Sequence, residues 1–243
     1  MEKAYKLLAL QEKISNKKAK ELIDRGVVYA KGRKVKIARA LISENTKFRV
    51  EYPHLDNFEI IFEDKNLIGV NKPPFVDSYE IEKSLNAKLI HRLDKETSGV
   101  LLLAKSDDFL KRAIEEFKAF RVKKIYSAWV EGIISEEIVI NKPIETKRKG
   151  EIKSFISKSG KDAITYIYPD IIHGKKSKVL IEIKSGRTHQ IRVHLASINH
   201  PIVGDVKYGS KIEAKRLLLH AKKIELLGYL IEAKEPKDME SFT

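Results

Sequence analysis

Two dense stretches of the chain carry residue types that can do chemistry. In HRLDKETSG, residues 91–99, Asp94 lies between Arg92 and Lys95, and Glu96 follows. A Thr-Ser-Gly turn and an apolar run, VLLLAK, come next. Cationic neighbours favour an ionised carboxylate, so this setting predicts a depressed pKa for Asp94. It suits a nucleophile or an electrostatic catalyst better than a proton donor. Asp94 and Glu96 also have the composition of a glycosidase acid pair. A one-residue gap does not place both in one cleft, and Glu96 reads more readily as a loop carboxylate. In SGRTHQIRVHLASINHPIVGD, residues 185–205, Arg187, His189 and Arg192 cluster near a predicted helix start, a geometry suited to anions. On residue chemistry alone, catalysis and a structural ion-pair network fit these stretches equally well.

Other familiar sites are not legible. The chain has no GxGxxG, and GKKS at 174–177 lacks the upstream glycine of a phosphate loop, its place being taken by Pro169. Among the seven histidines, His189 and His194 stand five apart on a predicted helix, with no HExxH or His-carboxylate cluster to make a metal site. No Ser-His-Asp arrangement emerges from spacing.

The elements that must position the two stretches follow from periodicity. AYKLLALQEK predicts a short amphipathic helix with Tyr5, Leu7, Leu8 and Leu10 as apolar positions. Ser15 or Asn16 is placed to cap a second helix, NKKAKELIDRG, with Gly26 at its stop. VVYAKGRKVKI predicts a hairpin around Lys-Gly-Arg, and FRVEY another strand; EYPHLDN, at 51–57, reads as a linker. Beyond residue 58, strands are expected at FEIIFED, LIGVNKP, GVLLLAK, KKIYSAWVEG, AITYIYP, KVLIEIK and RLLLHAKKIEL. Helices are expected at SDDFLKRAIEEFKAF, capped by Ser106, and at RTHQIRVHLASIN, which a loop, HPIVGDVKYG, follows. Many strands broken by a few helices, without a regular βαβ rhythm, predict an α+β body with a mixed, largely antiparallel sheet behind a small N-terminal α/β unit.

Charge separates the small unit from the body. The chain carries +14, and residues 1–50 hold 14 Lys or Arg against 5 Asp or Glu, a net +9. A basic appendage on a near-balanced body points to polyanions. The composition, 42% hydrophobic and 34% charged, is that of a soluble folded protein. Runs such as Val100–Ala104 are too short for a bilayer, the N-terminus shows no signal peptide, and no membrane partner is expected. The absence of cysteine excludes disulfides and thiolate metal sites and fits a cytoplasmic location.

HRLDKETSG resembles the signature of the RluA-type pseudouridine synthases, and SGRTHQIRVHLASINHPIVGDVKYG resembles that family's second block. FEIIFEDKNLIGVNKP, KKIYSAWVEG, RLLLHAKKIEL and EAKEPKDM match in order around them, so the likeness spans roughly residues 58–238. Residues 1–50 are similar to the S-four type RNA-binding domain, named from a ribosomal protein and often fused ahead of this catalytic domain. The resemblance implies two domains, 1–52 for RNA binding and 58–243 for catalysis, the latter of the pseudouridine synthase fold. It implies an isomerase that breaks the bond from ribose C1′ to uracil N1, turns the held base and rejoins ribose to C5, without cofactor or metal. Asp94 matches the catalytic aspartate, Arg192 its basic partner, and Tyr126 the tyrosine that stacks on uracil. Arg92 matches an arginine that enters the RNA where the uridine leaves. Lys72, Lys124, Arg187 and His189 lie in matching blocks and are expected in support or RNA contact. Lys17, Lys18, Lys20, Arg25, Lys31, Arg33 and Lys34 are expected, with Arg187, to contact RNA phosphates. The expected partner is RNA, large-subunit ribosomal RNA first and transfer RNA as the alternative, with no obligate protein partner; the alternative in a different class is a non-catalytic RNA-binding or ribosome-assembly factor. PPFVDSYEIEKSLNAKLI, ahead of HRLD, departs from the family's pattern.

Overall fold

The computed structural model describes residues 1–243 other than Arg25, 51–57, 148–151, Ser241 and Thr243. The expected linker and the RNA contact assigned to Arg25 therefore lie outside the described residues. Contacts divide the chain into two units, Met1–His54 and Leu55–Thr243.

In the first unit, helices Ala4–Gln11 and Asn16–Asp24 pack beside a three-stranded antiparallel sheet of Val28–Ala30, Arg33–Lys34 and Phe48–Val50. Ser15 is the cap of the second helix, its hydroxyl accepting from the Lys18 N–H at 3.1 Å. The hairpin turns on Lys31 and Gly32, both at positive φ (48° and 74°), the twist-matched two-residue turn. Leu8, Leu22, Ile23 and Val28 fill the core, with Tyr5 and Leu7 partly buried. Leu10, expected inside, is 77% exposed, because two residues along a helix from Leu8 is most of the way to the opposite face.

The second unit is built on a ten-stranded sheet among the described residues. Its main path runs Ile138–Asn141, Ile164–His173, Lys176–Ile183, Lys123–Glu131, Leu219–Leu226, Ser98–Ala104, Leu67–Lys72 and Glu59–Glu63. Tyr229–Glu232 pairs with Leu219–Leu226, and Lys88–Leu89 with Ser98–Ala104. The described pairings are antiparallel except that of Ser98–Ala104 with Leu219–Leu226, so the mixed, largely antiparallel α+β expectation holds. Ser98–Ala104 is buried at every residue because both faces are covered. Val100 and Leu102 pack with Phe109 and Ala113 of helix Asp107–Lys118, which Ser106 caps. Leu101 and Leu103 pack with Ile81 of helix Ser78–Leu85. A strand buried on two sides reads as an unbroken apolar run, which explains VLLLA.

Several elements differ from expectation. Helix Ser78–Leu85 lies in the segment that departs from the family pattern, and a capping box of Asp77 and Glu80 starts it. The helix expected over RTHQIRVHLASIN is confined to Gln190–Ala196, since His189 before it stands at φ 54°. Strands Ile144–Lys147 and Lys153–Ile156 pair as a separate two-stranded sheet that had no clear alternation to announce it.

Gly99 marks the parallel junction, where Ser98 pairs with His220 and Gly99 with Ala221. Its φ is +112°, and a Cβ there would stand 2.1 Å from the Ala221 carbonyl oxygen. Gly99→Ala must push a pair of central strands apart, so it is expected to cost about 3 kcal/mol or more of unfolding free energy in urea titrations. A loss under about 1 kcal/mol would show that the junction yields easily.

Candidate active site

The Asp94 loop joins Lys88–Leu89 to the buried strand Ser98–Ala104. Its turn is Asp94 to Thr97, closed by the Thr97 N–H donating to the Asp94 carbonyl at 3.0 Å. This corrects the expected Thr-Ser-Gly turn: Ser98 and Gly99 already belong to the strand. Lys72, wholly buried, holds the loop from below. Its ammonium donates to the carbonyls of Pro73 and Val76 at 2.9 Å and of Lys95 at 3.2 Å. The Phe75 N–H adds a bond to the same Lys95 carbonyl at 2.7 Å. Desolvation brings the Lys72 pKa down to about 7, against the pull of Glu96, Asp77 and Asp94.

The facing wall is the 185–192 segment. Gln190, 3% exposed, fastens it by accepting from the Ser185 hydroxyl at 2.8 Å and the Arg187 N–H at 3.1 Å. Its amide donates to the Ile164 carbonyl and the Thr165 hydroxyl. His194 braces the same helix between Thr165 and the Lys142 carbonyl. Arg192 is thereby set at the cleft with a side chain only 5% exposed. Its Nε and Nη2 donate to the two oxygens of Asp205, each at 2.8 Å. The remaining nitrogen, Nη1, lies 3.7 Å from Asp94 Oδ2 and 3.6 Å from Glu96 Oε2. Asp205 carries no role that its sequence setting announces, although it ends the second dense stretch. Glu96, expected to stand apart from the chemistry, shares Nη1 with Asp94.

Tyr126, on Lys123–Glu131, shares the cleft with Arg92, Leu93, Asp94, Ile183 and Arg192. Burial and the nearby Asp94 charge push its phenol pKa up, so it presents a neutral aromatic face. Arg92 is exposed at the cleft mouth, and Arg187 lines it while donating to the Asp162 carbonyl at 3.1 Å. Lys124 donates to the Lys184 and Ser185 carbonyls beside the cleft. Lys17, Lys18, Lys20, Lys31, Arg33 and Lys34 belong to the first unit. Within it Lys17, Lys31, Arg33 and Lys34 are exposed, and Lys20 lies over the Tyr5 ring at 4.3 Å.

The electrostatics correct one expectation. Desolvation raises the Asp94 pKa above the ordinary carboxylate value, while Arg192, Arg92 and Lys72 act to lower it. Neighbours along the chain carry the sign of charge but not the loss of water. The side chain remains 26% exposed, open toward the cleft. Such a site holds a carboxylate, a guanidinium and an aromatic ring around a space able to take a planar base.

A family model for RNA pseudouridylate synthase matches residues 62–197. An uncharacterized RNA pseudouridine synthase of Helicobacter pylori (strain J99) is 51% identical over 99% of this chain and 100% of its own length. Ribosomal large subunit pseudouridine synthase C of Buchnera aphidicola is 33% identical over 75% of this chain and 65% of its own. Among solved structures, human RNA Pseudouridylate Synthase Domain Containing 1 superposes with a TM-score of 0.65 at 27% identity, covering 78% of this chain and 87% of that one. The chain belongs to the RluA-type RNA pseudouridine synthases, isomerases that convert uridine in RNA to pseudouridine.

Proposed function

We propose that Asp94 is the catalytic carboxylate of this isomerase and that its substrate is large-subunit ribosomal RNA. The observation that carries the catalytic assignment is convergence: Asp94, Tyr126 and Arg192, from three separated segments, line one cleft. Asp94 acts at the ribose, attacking the nucleoside or assisting departure of the base. The C1′–N1 bond breaks and C1′–C5 forms, while C5 gives up a proton and N1 gains one. Arg192, fixed by Asp205, supplies positive charge to the carboxylate when the base excludes water. Tyr126 stacks on the flipped uracil and offsets some of the few kcal/mol of unstacking. Arg92, at the mouth, fills the place the uridine leaves. The likeness to the Buchnera enzyme supports ribosomal RNA. A chain without cysteine suits the reducing cytoplasm, where we place the reaction. The test is a pseudouridine map of total RNA from cells carrying the gene, lacking it, or carrying Asp94→Asn. Loss of one or a few large-subunit sites in the last two is expected. Survival of every site with Asp94→Asn would overturn the assignment, and losses confined to transfer RNA would move the substrate.

We infer further that residues 1–52 are an S-four type domain that grips RNA phosphates. The net +9 over residues 1–50 and the exposed Lys17, Lys31, Arg33 and Lys34 support this. Replacing those four by Ala in the full chain is expected to flatten the log–log salt dependence of RNA binding by roughly 0.7–0.9 for each phosphate no longer neutralised. An unchanged slope would contradict the role.

A further inference from the structure

His189 stands between the Asp94 carboxylate and a side chain that no assigned role uses, Tyr208. The Ser154 N–H donates to the Tyr208 hydroxyl oxygen at 3.0 Å. The same hydroxyl lies 2.7 Å from His189 Nδ1, and the two rings meet edge to face. With its oxygen accepting from Ser154, the phenol can donate its hydrogen to Nδ1, the arrangement that leaves the imidazole proton on Nε2. That nitrogen lies 3.8 Å from Asp94 Oδ2, beyond hydrogen-bond length but within reach of one for a rotated carboxylate. His189 is held there at cost, in the left-handed region at φ 54° as the residue preceding a buried helix.

We propose that His189 is a positioning residue for Asp94: its Nε2–H, oriented by Tyr208, donates to the carboxylate and stabilises its ionised form during the reaction. The proposal rests on the reading of Asp94 as the catalytic group. Burial lowers the His189 pKa to about 4, so at working pH the ring is neutral and carries one proton, with one nitrogen a donor and the other an acceptor. The charged groups around the pair are Arg192, Arg92 and Lys72 toward Asp94, and Arg192, Lys207, Glu96 and Asp205 toward His189. Lys153 and Arg192 also lie over the Tyr208 ring, at 5.9 and 5.2 Å. The sign follows from the donor. A hydrogen bond to a carboxylate lowers its pKa, so removing the donor raises it, and activity that needs ionised Asp94 then fails at a higher pH.

Two substitutions separate the two ends of the ring. His189→Asn tolerates positive φ and keeps an amide near the Nδ1 position, but it cannot reach Asp94. His189→Gln places its amide nitrogen near the Nε2 position. With ribosomal RNA from cells lacking the gene as substrate, kcat is measured against pH, because the bond closes in the complex. His189→Asn is expected to lower the plateau about tenfold, the scale of one charge-assisted hydrogen bond, and to move the acid limb to higher pH. His189→Gln is expected to restore both. An unmoved limb in His189→Asn, or an equal shift in His189→Gln, would overturn the proposal. Two measurements stand apart from activity: 15N NMR of the imidazole, expected to show the proton on Nε2, and 13C titration of the Asp94 carboxyl with pseudouridine-containing product RNA bound, expected to show a higher pKa in His189→Asn. A proton on Nδ1, or an unchanged Asp94 pKa, overturns the proposal even if turnover is absent. Loss of turnover in wild type with both NMR results as expected would instead indict the catalytic reading.

Discussion

The site depends on how one guanidinium is shared. Asp205 takes two nitrogens of Arg192 in a bidentate pair, and planarity then dictates where the third nitrogen points: toward Asp94 and Glu96. A lysine has no such fork and would supply charge without direction. Burying an ion pair of this kind adds little to stability, because both groups lose their water. Its value is orientation. Burial opposes the Arg192 charge, but the Asp205 carboxylate keeps its pKa raised, so the cation persists in a dry wall.

Everything around the fork keeps two walls apart and aligned. On one side the Asp94 turn sits on the stem of a strand covered on both faces, while Lys72 ties the turn's Lys95 carbonyl to those of Pro73 and Val76. On the other side Gln190 and His194 fasten the short helix that bears Arg192 to the strand containing Thr165. The sheet runs between the two walls, and at Gly99 and Ala221 backbone approaches backbone too closely for any side chain. Tyr126, on the neighbouring strand, shares this rigid platform. Asp94, Tyr126 and Arg192 thus ride on a tied turn, a packed strand and a pinned helix, as preorganised chemistry requires.

Much of this is legible from residues. Asp94 stands out because charges crowd the start of an apolar run, and that run is a strand without a wet face. Arg192 stands out only as a member of a basic cluster; spacing holds no sign that Asp205 anchors it. Glu96 and Asp94 look alike in charge, and the structure gives both a place near Nη1, so distance to Arg192 does not rank them. The sign of the Asp94 pKa shift escapes a local reading because burial in the folded cleft raises it, and adjacent sequence carries no record of burial. Helix Ser78–Leu85 is announced by Asp77 and Glu80 at capping-box spacing, within a segment that departs from the family pattern. The small pair Ile144–Lys147 and Lys153–Ile156 leaves no comparable trace, since its strands are short and mostly half-exposed.

The central claim is that Asp205 aims Arg192 and Arg192 equips Asp94. Its most direct test is the single-turnover rate of pseudouridine formation in ribosomal RNA from cells lacking the gene, for Asp205→Asn against wild type. The amide can accept through only one oxygen, so the fork loses its direction. At saturating enzyme the rate is expected to fall at least tenfold, with RNA affinity little changed. A folded Asp205→Asn protein that turns over at the wild-type rate would contradict the account.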